Sequence, residues 1–263
     1  MKTAILSDIH SNPVALEKVI SDARSHGCAK FICLGDIVGY GYDPNACIDI
    51  CRKENISCIM GNHDAAIVGR LPLTWFSSTA AAGVKRQLPI ISESDKEWLN
   101  NLPLQGRICT DRGIAIALSH GTFDFPGRFD YINSPSEAVM EFISLKREGI
   151  NVLFVGHTHV AEAYQFKENY QVSSVYLDIE DIAPIDLAAN PCTIVNVGSC
   201  GYPRDQPYSI YCIFDDDKET ATHRILEFDF DDYRKKMTSA GVAIPLWLDS
   251  KEKRAKERRV EWR

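Results

Sequence analysis

The sequence predicts an α/β fold built on parallel strands. Three observations point to it. Apolar runs alternate with amphipathic segments from Thr3 to Met60, the amphipathic segments open on Asn12-Pro13 and Asp43-Pro44, and the chain after Glu162 changes to short apolar stretches separated by turns. Alternating strands and helices imply parallel strands joined by right-handed crossovers. The late short strands predict a second sheet packed on the first.

Thr3 to Ser7 reads as a buried strand. Asn12-Pro13 then opens a helix, with Asn as N-cap and Pro at the first helical position. Leu16, Val19, Ile20 and Ala23 form its apolar stripe, and Gly27 ends it. The unit repeats with a strand from Phe31 to Leu34, a helix capped by Asp43 with Cys47, Ile48 and Cys51 on its apolar side, and a strand from Ile56 to Met60. Residues 74–104 carry helical patterns instead, with an Ala-rich run from Thr79 to Gln87 and a segment opened by a capping box, Ser94 to Glu97.

Ile114 to Leu118 and Val152 to Val155 are further strands, with a helix from Ser136 to Arg147 between them. Short strands follow at Val172 to Leu177, Thr193 to Val197, Ile210 to Phe214 and His223 to Phe228. Tyr233 to Ala240 restarts a helix that Gly241 ends. The last 13 residues carry seven basic and three acidic side chains, the composition of a solvated helix face. At 263 residues the chain is expected to form one domain, with a helical excursion at about 74–104 and a C-terminal helical tail at about 231–263.

Composition narrows the function. A net charge of -7 repels a polyanion, so bulk nucleic-acid binding is not expected. The apolar start of the chain is cut short by Asp8, and no apolar run approaches the roughly 20 residues that cross a bilayer, so a cytoplasmic protein without a membrane anchor is expected. Nine cysteines without a Cys-x-x-Cys pair, among them Cys33, Cys58, Cys109 and Cys212 inside apolar stretches, read as buried thiols.

The chemistry lies at the strand ends. Asp8-Ile9-His10, Gly35-Asp36, Gly61-Asn62-His63-Asp64, His120-Gly121 and Gly156-His157-Thr158-His159 each finish or follow an apolar run, and five of the seven histidines fall in them. Open α/β sheets bind ligands at the carboxyl ends of their strands. Carboxylate, amide and imidazole donors without a thiolate suit a pair of transition-metal ions (Mn, Fe, Co, Ni or Zn), and such a pair needs one bridging group. Asp36 is the expected bridge. Between two such ions, water becomes a hydroxide placed to attack phosphorus. His63 is the expected acid for the leaving group, acting as imidazolium, with Asp64 orienting its ring. Arg204 and Arg128 are candidate donors to the non-transferred phosphates, and Tyr40 and Tyr42 candidate stacking partners for a base.

This motif series resembles that of the calcineurin-like metallophosphoesterase superfamily: Asp-x-His, Gly-Asp, Gly-Asn-His-Asp or Glu, His, and Gly-His-x-His. The resemblance implies a four-layer αββα fold, a central two-sheet β-sandwich flanked by helices. It further implies that Asp8, His10, Asp36 and His159 hold one metal and Asp36, Asn62, His120 and His157 the other, with His63 as acid and transition-state stabiliser. Ser7 to Asn12, Gly35 to Gly41, Asn196-Val197-Gly198-Ser199 and Pro203-Arg204-Asp205 are similar to the branch of small bacterial phosphodiesterases and diadenosine tetraphosphate hydrolases. The chain departs from that branch at Val197, where Pro is usual, and at Thr122-Phe123, where Ser-Pro is usual.

The expected function is therefore hydrolysis of a phosphodiester or nucleotide polyphosphate, a small phosphorylated substrate. Two alternatives stand beside it: a phosphomonoesterase or protein phosphatase, and a non-catalytic scaffold of the same fold. Protein phosphatases carry Asp-Arg-Gly and an arginine where this chain has Gly39-Tyr40-Gly41 and Met60.

Overall fold

A computed structural model describes residues 1–167, 171–176, 183–190, 192–204, 208–227 and 229–244. Asp205 and the basic tail from Lys251 to Arg263 lie outside the described residues. The chain runs β1 (Lys2–Leu6), α1 (Pro13–Ser25), β2 (Cys28–Cys33), α2 (Pro44–Lys53), β3 (Ser57–Cys58), α3 (Asn62–Ile67), α4 (Ser78–Gln87), α5 (Glu93–Asn100), β4 (Gln105–Cys109), β5 (Ala115–Ser119) and α6 (Pro135–Arg147). It continues through β6 (Val152–Val155), β7 (Ala161–Phe166), β8 (Val172–Tyr176), β9 (Ile185–Asp186), β10 (Thr193–Val197), β11 (Ser209–Asp215), β12 (Thr220–Leu226) and α7 (Phe230–Ser239). No helix among the described residues is long and apolar enough to cross a membrane.

The caps explain the early helix starts. Asn12 accepts from the Ala15 N–H and Asp43 from the Ala46 N–H, each just before a proline that needs no donor partner. One expected cap is displaced. Ser92, not Ser94, caps α5: its hydroxyl accepts from the Asp95 N–H and donates to the Asp95 carboxylate, in place of the expected pairing of Ser94 with Glu97.

The strands form two six-stranded mixed sheets, ordered β3-β2-β1-β11-β12-β9 and β4-β5-β6-β10-β7-β8. The division differs from an early sheet and a late one. β1, β2 and β3 pair in parallel, but β1 also pairs antiparallel with the late β11. β5 and β6 join the other sheet, with β10 in parallel beside β6. Period and length specify an element, whereas partner choice depends on long-range contacts that neither reports.

Ile5, Ile32, Leu34, Phe154, Val195 and Phe214 fill the space between the sheets. A second core lies between the first sheet and the helices α1, α2, α3 and α4, with Leu16, Val19, Cys47, Ile48 and Val84 fully buried. A third lies under α6, around Phe142, Leu145 and Ile194. The order is thus helix, sheet, sheet, helix. Eight cysteines are buried free thiols; Cys109, on the edge strand β4, is exposed, contrary to its reading as a core residue.

Candidate metal centre

β1, β2, β3, β5, β6 and β10 all run parallel to a neighbour, so their carboxyl ends reach one end of the sandwich. The loops leaving five of them deliver Asp8 and His10, Asp36, Asn62, His120, and His157 with His159. Asp8, His10, Asp36, His157 and His159 all have positive φ, between 47° and 68°. Left-handed backbone costs a non-glycine residue roughly 1–2 kcal/mol. Five such residues among the expected ligands mark turns held open against local preference so that side chains converge.

The convergence is tight. Asp8, His10 and His159 bring ligand atoms within 4.8 Å of one another, as do Asp36, His120 and His157, and His10, Asp36 and His63. All are buried. Asp36 Oδ2 lies 3.5 Å from His10 Nε2 and 3.4 Å from His120 Nε2, between the two groups. Its other oxygen accepts the His63 N–H at 2.8 Å. His120 Nε2 is also 3.2 Å from Asn62 Oδ1.

The imidazoles show what the cluster is built to hold. His10 Nδ1 donates to the Val38 carbonyl at 3.0 Å, His120 Nδ1 to the Leu34 carbonyl at 2.8 Å, and His159 Nδ1 to the Tyr202 carbonyl. These bonds fix each tautomer and turn the Nε2 lone pairs inward. His10 Nε2 and His159 Nε2 then stand 3.1 Å apart with no proton to share, and Asp8 Oδ1 is buried without a hydrogen-bond partner. Converging lone pairs with an unpartnered carboxylate oxygen fit a cation.

Electrostatics agree. Burial raises the Asp36 and Asp8 carboxyls, but His120 beside Asp36 and His159 beside Asp8 outweigh it and hold both below the usual range. Burial lowers His120, yet Asp36 and Asp8 lift it to about 9. The site's anionic field therefore favours positive charge between these residues, and a metal ion would displace that proton.

Several expected roles are placed differently. Asp64 does not touch the His63 ring. Its Oδ2 accepts the Asp36 and Gly61 N–H groups at 2.9 and 3.0 Å, and its Oδ1 the Ile37 and Val38 N–H groups at 3.0 and 3.2 Å. Asp64 thus ties the Asp36 loop to the start of α3, and the ring-orienting role assigned to it is corrected. Burial and the Asp36 charge push its carboxyl up to about 7, against the backbone donors.

His63 is instead framed by rings. Phe76 meets it edge-on at 5.1 Å, and Tyr40 lies at 4.7 Å. Burial, opposed by Asp36, lowers His63 to about 4, so it is neutral near pH 7, not the imidazolium expected from sequence. Arg128 is also corrected. It is exposed, pairs with Asp130 at 2.9 Å as a surface ion pair, and does not line the cavity over the ligands.

Arg204 does reach the site. A cavity of about 740 Å³ opens over Asn62, His63, His157 and His159 and is walled by Tyr40, Trp75, Phe76, Tyr131, Tyr202 and Arg204. Tyr40 stacks on Tyr202 with centroids 4.2 Å apart, and Tyr131 on His157 at 3.8 Å. Tyr42 packs on Tyr233 and does not line this cavity. The Arg204 guanidinium lies beside the Tyr40 and Tyr131 hydroxyls. A larger cleft of about 920 Å³, lined by Thr3, Phe31 and Ile108, lies at the other end of the strands and holds none of the ligands.

The Asn196 to Ser199 segment serves as a brace. Asn196 donates to the Gly156 carbonyl and the Thr158 hydroxyl at 2.8 and 2.9 Å, and Ser199 to the Asp8 carbonyl at 3.0 Å. Sequence reasoning missed Tyr131, Tyr202, Trp75 and Phe76. Tyr202 lies two residues before Arg204 and could have been found by that adjacency; the others belong to no motif.

Comparison with known proteins shows the family. Residues 1–219 match the calcineurin-like phosphoesterase superfamily domain. An uncharacterized protein of Methanocaldococcus jannaschii is 30% identical over 250 residues, covering 93% of this chain and 94% of its own. The crystal structure of a metallophosphoesterase from Sphaerobacter thermophilus is 32% identical with a TM-score of 0.77, covering 94% of this chain and 96% of its own. A hypothetical protein from Pyrococcus horikoshii, at 18% identity and a TM-score of 0.70, covers 92% of this chain and 94% of its own and shares the fold. The chain belongs to the calcineurin-like phosphoesterase superfamily and is a metal-dependent phosphoester hydrolase.

Proposed function

We propose that the protein is a dinuclear-metal phosphoesterase that hydrolyses a phosphodiester or a nucleotide polyphosphate. The observation that carries this reading is Asp36 Oδ2, which stands within 3.5 Å of His10 Nε2 and 3.4 Å of His120 Nε2, one oxygen common to two ligand groups. Asp8, His10, Asp36 and His159 would hold one transition-metal ion, and Asp36, Asn62, His120 and His157 the other. Mn, Fe, Co, Ni and Zn all suit such oxygen and nitrogen donors. When bound, such a pair activates water near neutral pH and draws charge from the phosphoryl oxygens.

The chain's own residues do the rest. Arg204 has no ion pair among the described residues and offers a planar fork to phosphate oxygens. His63 sits at the cavity wall as a neutral imidazole, and an incoming anion raises its proton affinity, so substrate binding favours the form that protonates the leaving oxygen. Tyr40, Tyr202, Trp75 and Phe76 supply flat apolar faces for an organic group on the phosphate. A volume of about 740 Å³ accommodates a nucleotide-sized ligand.

The test is metal reconstitution of the purified protein followed by assay on bis-para-nitrophenyl phosphate, diadenosine tetraphosphate and para-nitrophenyl phosphate. Turnover of either of the first two with bound metal near two per chain supports the proposal. Faster cleavage of the monoester would favour a phosphomonoesterase, and no turnover with any divalent ion would favour a scaffold.

A further inference from the structure

A second cavity, of about 410 Å³, adjoins the metal-facing one. The two share Tyr40, Thr79, Tyr202 and Ala243, so the stacked Tyr40 and Tyr202 rings border both. Thr79, Gly83 and Arg86 line the second cavity from one face of α4, being three or four residues apart. The end of α7 and the turn after it close the opposite wall, with Met237 and Val242.

Among the described residues that line this cavity, Arg86 is the charged one. Its Nη2 donates to the Tyr40 carbonyl at 3.2 Å and to the Gly41 carbonyl, which fixes the guanidinium in place. No carboxylate pairs with it among the described residues, and its Nε and Nη1 make no hydrogen bond there. Burial pulls its affinity for the proton down, opposed by the Tyr233 hydroxyl, although arginine stays charged in proteins. A half-buried guanidinium, anchored through one nitrogen and with no carboxylate beside it among the described residues, has donors to offer an anion. The Ser78 and Thr79 hydroxyls line the same cavity and add donors for a many-oxygen group.

Tyr40 therefore lies between two cations. Arg204 meets its hydroxyl in the metal-facing cavity, and Arg86 its carbonyl in the second. We propose that the second cavity is a subsite for another phosphate group of the same substrate, bound by Arg86 while the reacting phosphorus lies over the metal ligands. This rests on the phosphoesterase reading and narrows it to substrates with two separated phosphates.

The test compares thymidine 5′-(para-nitrophenyl phosphate) with the same ester carrying a 3′-phosphate. The metal-loaded full chain should show a KM about tenfold lower for the 3′-phosphorylated ester, the scale of one charge-assisted contact. Arg86→Gln keeps a donor for the two carbonyls but removes the charge, and should bring the KM ratio near one. Arg86→Lys should retain part of the preference. A wild-type ratio near one overturns the proposal, as does an undiminished preference in Arg86→Gln. If Arg86→Gln fails to fold, the wild-type and Arg86→Lys ratios decide in the same way.

A binding arm separates this idea from the reading beneath it. Calorimetric titration with thymidine 3′,5′-bisphosphate and thymidine 5′-monophosphate reports the subsite without turnover. A preference for the bisphosphate that depends on Arg86, in a protein that cleaves neither ester, would support the subsite and sink the phosphodiester reading. Turnover of both esters with no preference would do the reverse.

Discussion

Gly39 lies directly beneath the His63 ring: a Cβ at position 39 would stand 2.1 Å from His63 Nδ1. Gly39 also has φ +91°, a conformation that side chains rarely adopt. The ring is therefore positioned by a bare backbone below it and by Phe76 and Tyr40 at its sides. Gly39→Ala should push the imidazole away and lower kcat on the order of 100-fold, the scale of a 1 Å misplacement. Metal content, read by elemental analysis, should stay unchanged. A variant with full kcat would remove His63 from the chemistry.

Asp36→Asn tests the bridge. The amide keeps shape but loses the anionic oxygen set between His10 and His120. Bound metal should fall to one per chain or fewer. Activity should drop at least about 100-fold, the scale on which even outer-shell partners of a metal act. Unaltered metal occupancy and cleavage together would sink the dinuclear reading.

Asp64→Asn tests the anchor. All four acceptor positions of Asp64 face backbone N–H groups from Asp36, Ile37, Val38 and Gly61. An amide would turn its own donors against two of them. A loss of about 2–4 kcal/mol in unfolding free energy is expected, since buried donors are left unpaired. Urea titration of the metal-free protein measures it, and a loss under about 0.5 kcal/mol, the range of ordinary surface changes, would contradict the anchoring role.

Acid stability should carry the signature of Asp22. Burial raises this carboxyl, but hydrogen bonds from Arg224 and Tyr211 outweigh it and leave it below its ordinary value of 3.8. A depressed folded-state pKa means stability that is fully present above the unfolded value. It is lost as pH falls from about that value through the lower folded one. Because Asp22 is partly exposed, solvent screening holds the effect to roughly 1 kcal/mol or less. Thermal melts of Asp22→Asn should therefore show a lower Tm than wild type at pH 6 and a smaller difference near pH 3. Equal differences at both pH values would rule out the ion pair as their source.

Much of the site was legible because its chemistry is local. Asp8-Ile9-His10 and Gly156-His157-Thr158-His159 announce themselves by residue type and by their place after an apolar run, and the structure brings them together at one end of the sandwich. Asn12-Pro13 and Asp43-Pro44 were equally readable, since a cap acts within four residues. β7 and β9 were not anticipated, being a strand in a run read only as short strands with turns and a two-residue pairing. Arg128 carried no local sign that Asp130 would claim it.

By itself the sequence determined which residues converge and that they do so at strand ends, because period, caps and apolar runs act over a few residues. Only the tertiary structure decided that β5 and β6 join β10 in the opposite sheet, that Asp64 grips four amides and not an imidazole, and that Tyr40 borders two cavities. Those outcomes depend on contacts between residues tens of positions apart, and no spacing along the chain records which distant donor a buried acceptor will meet.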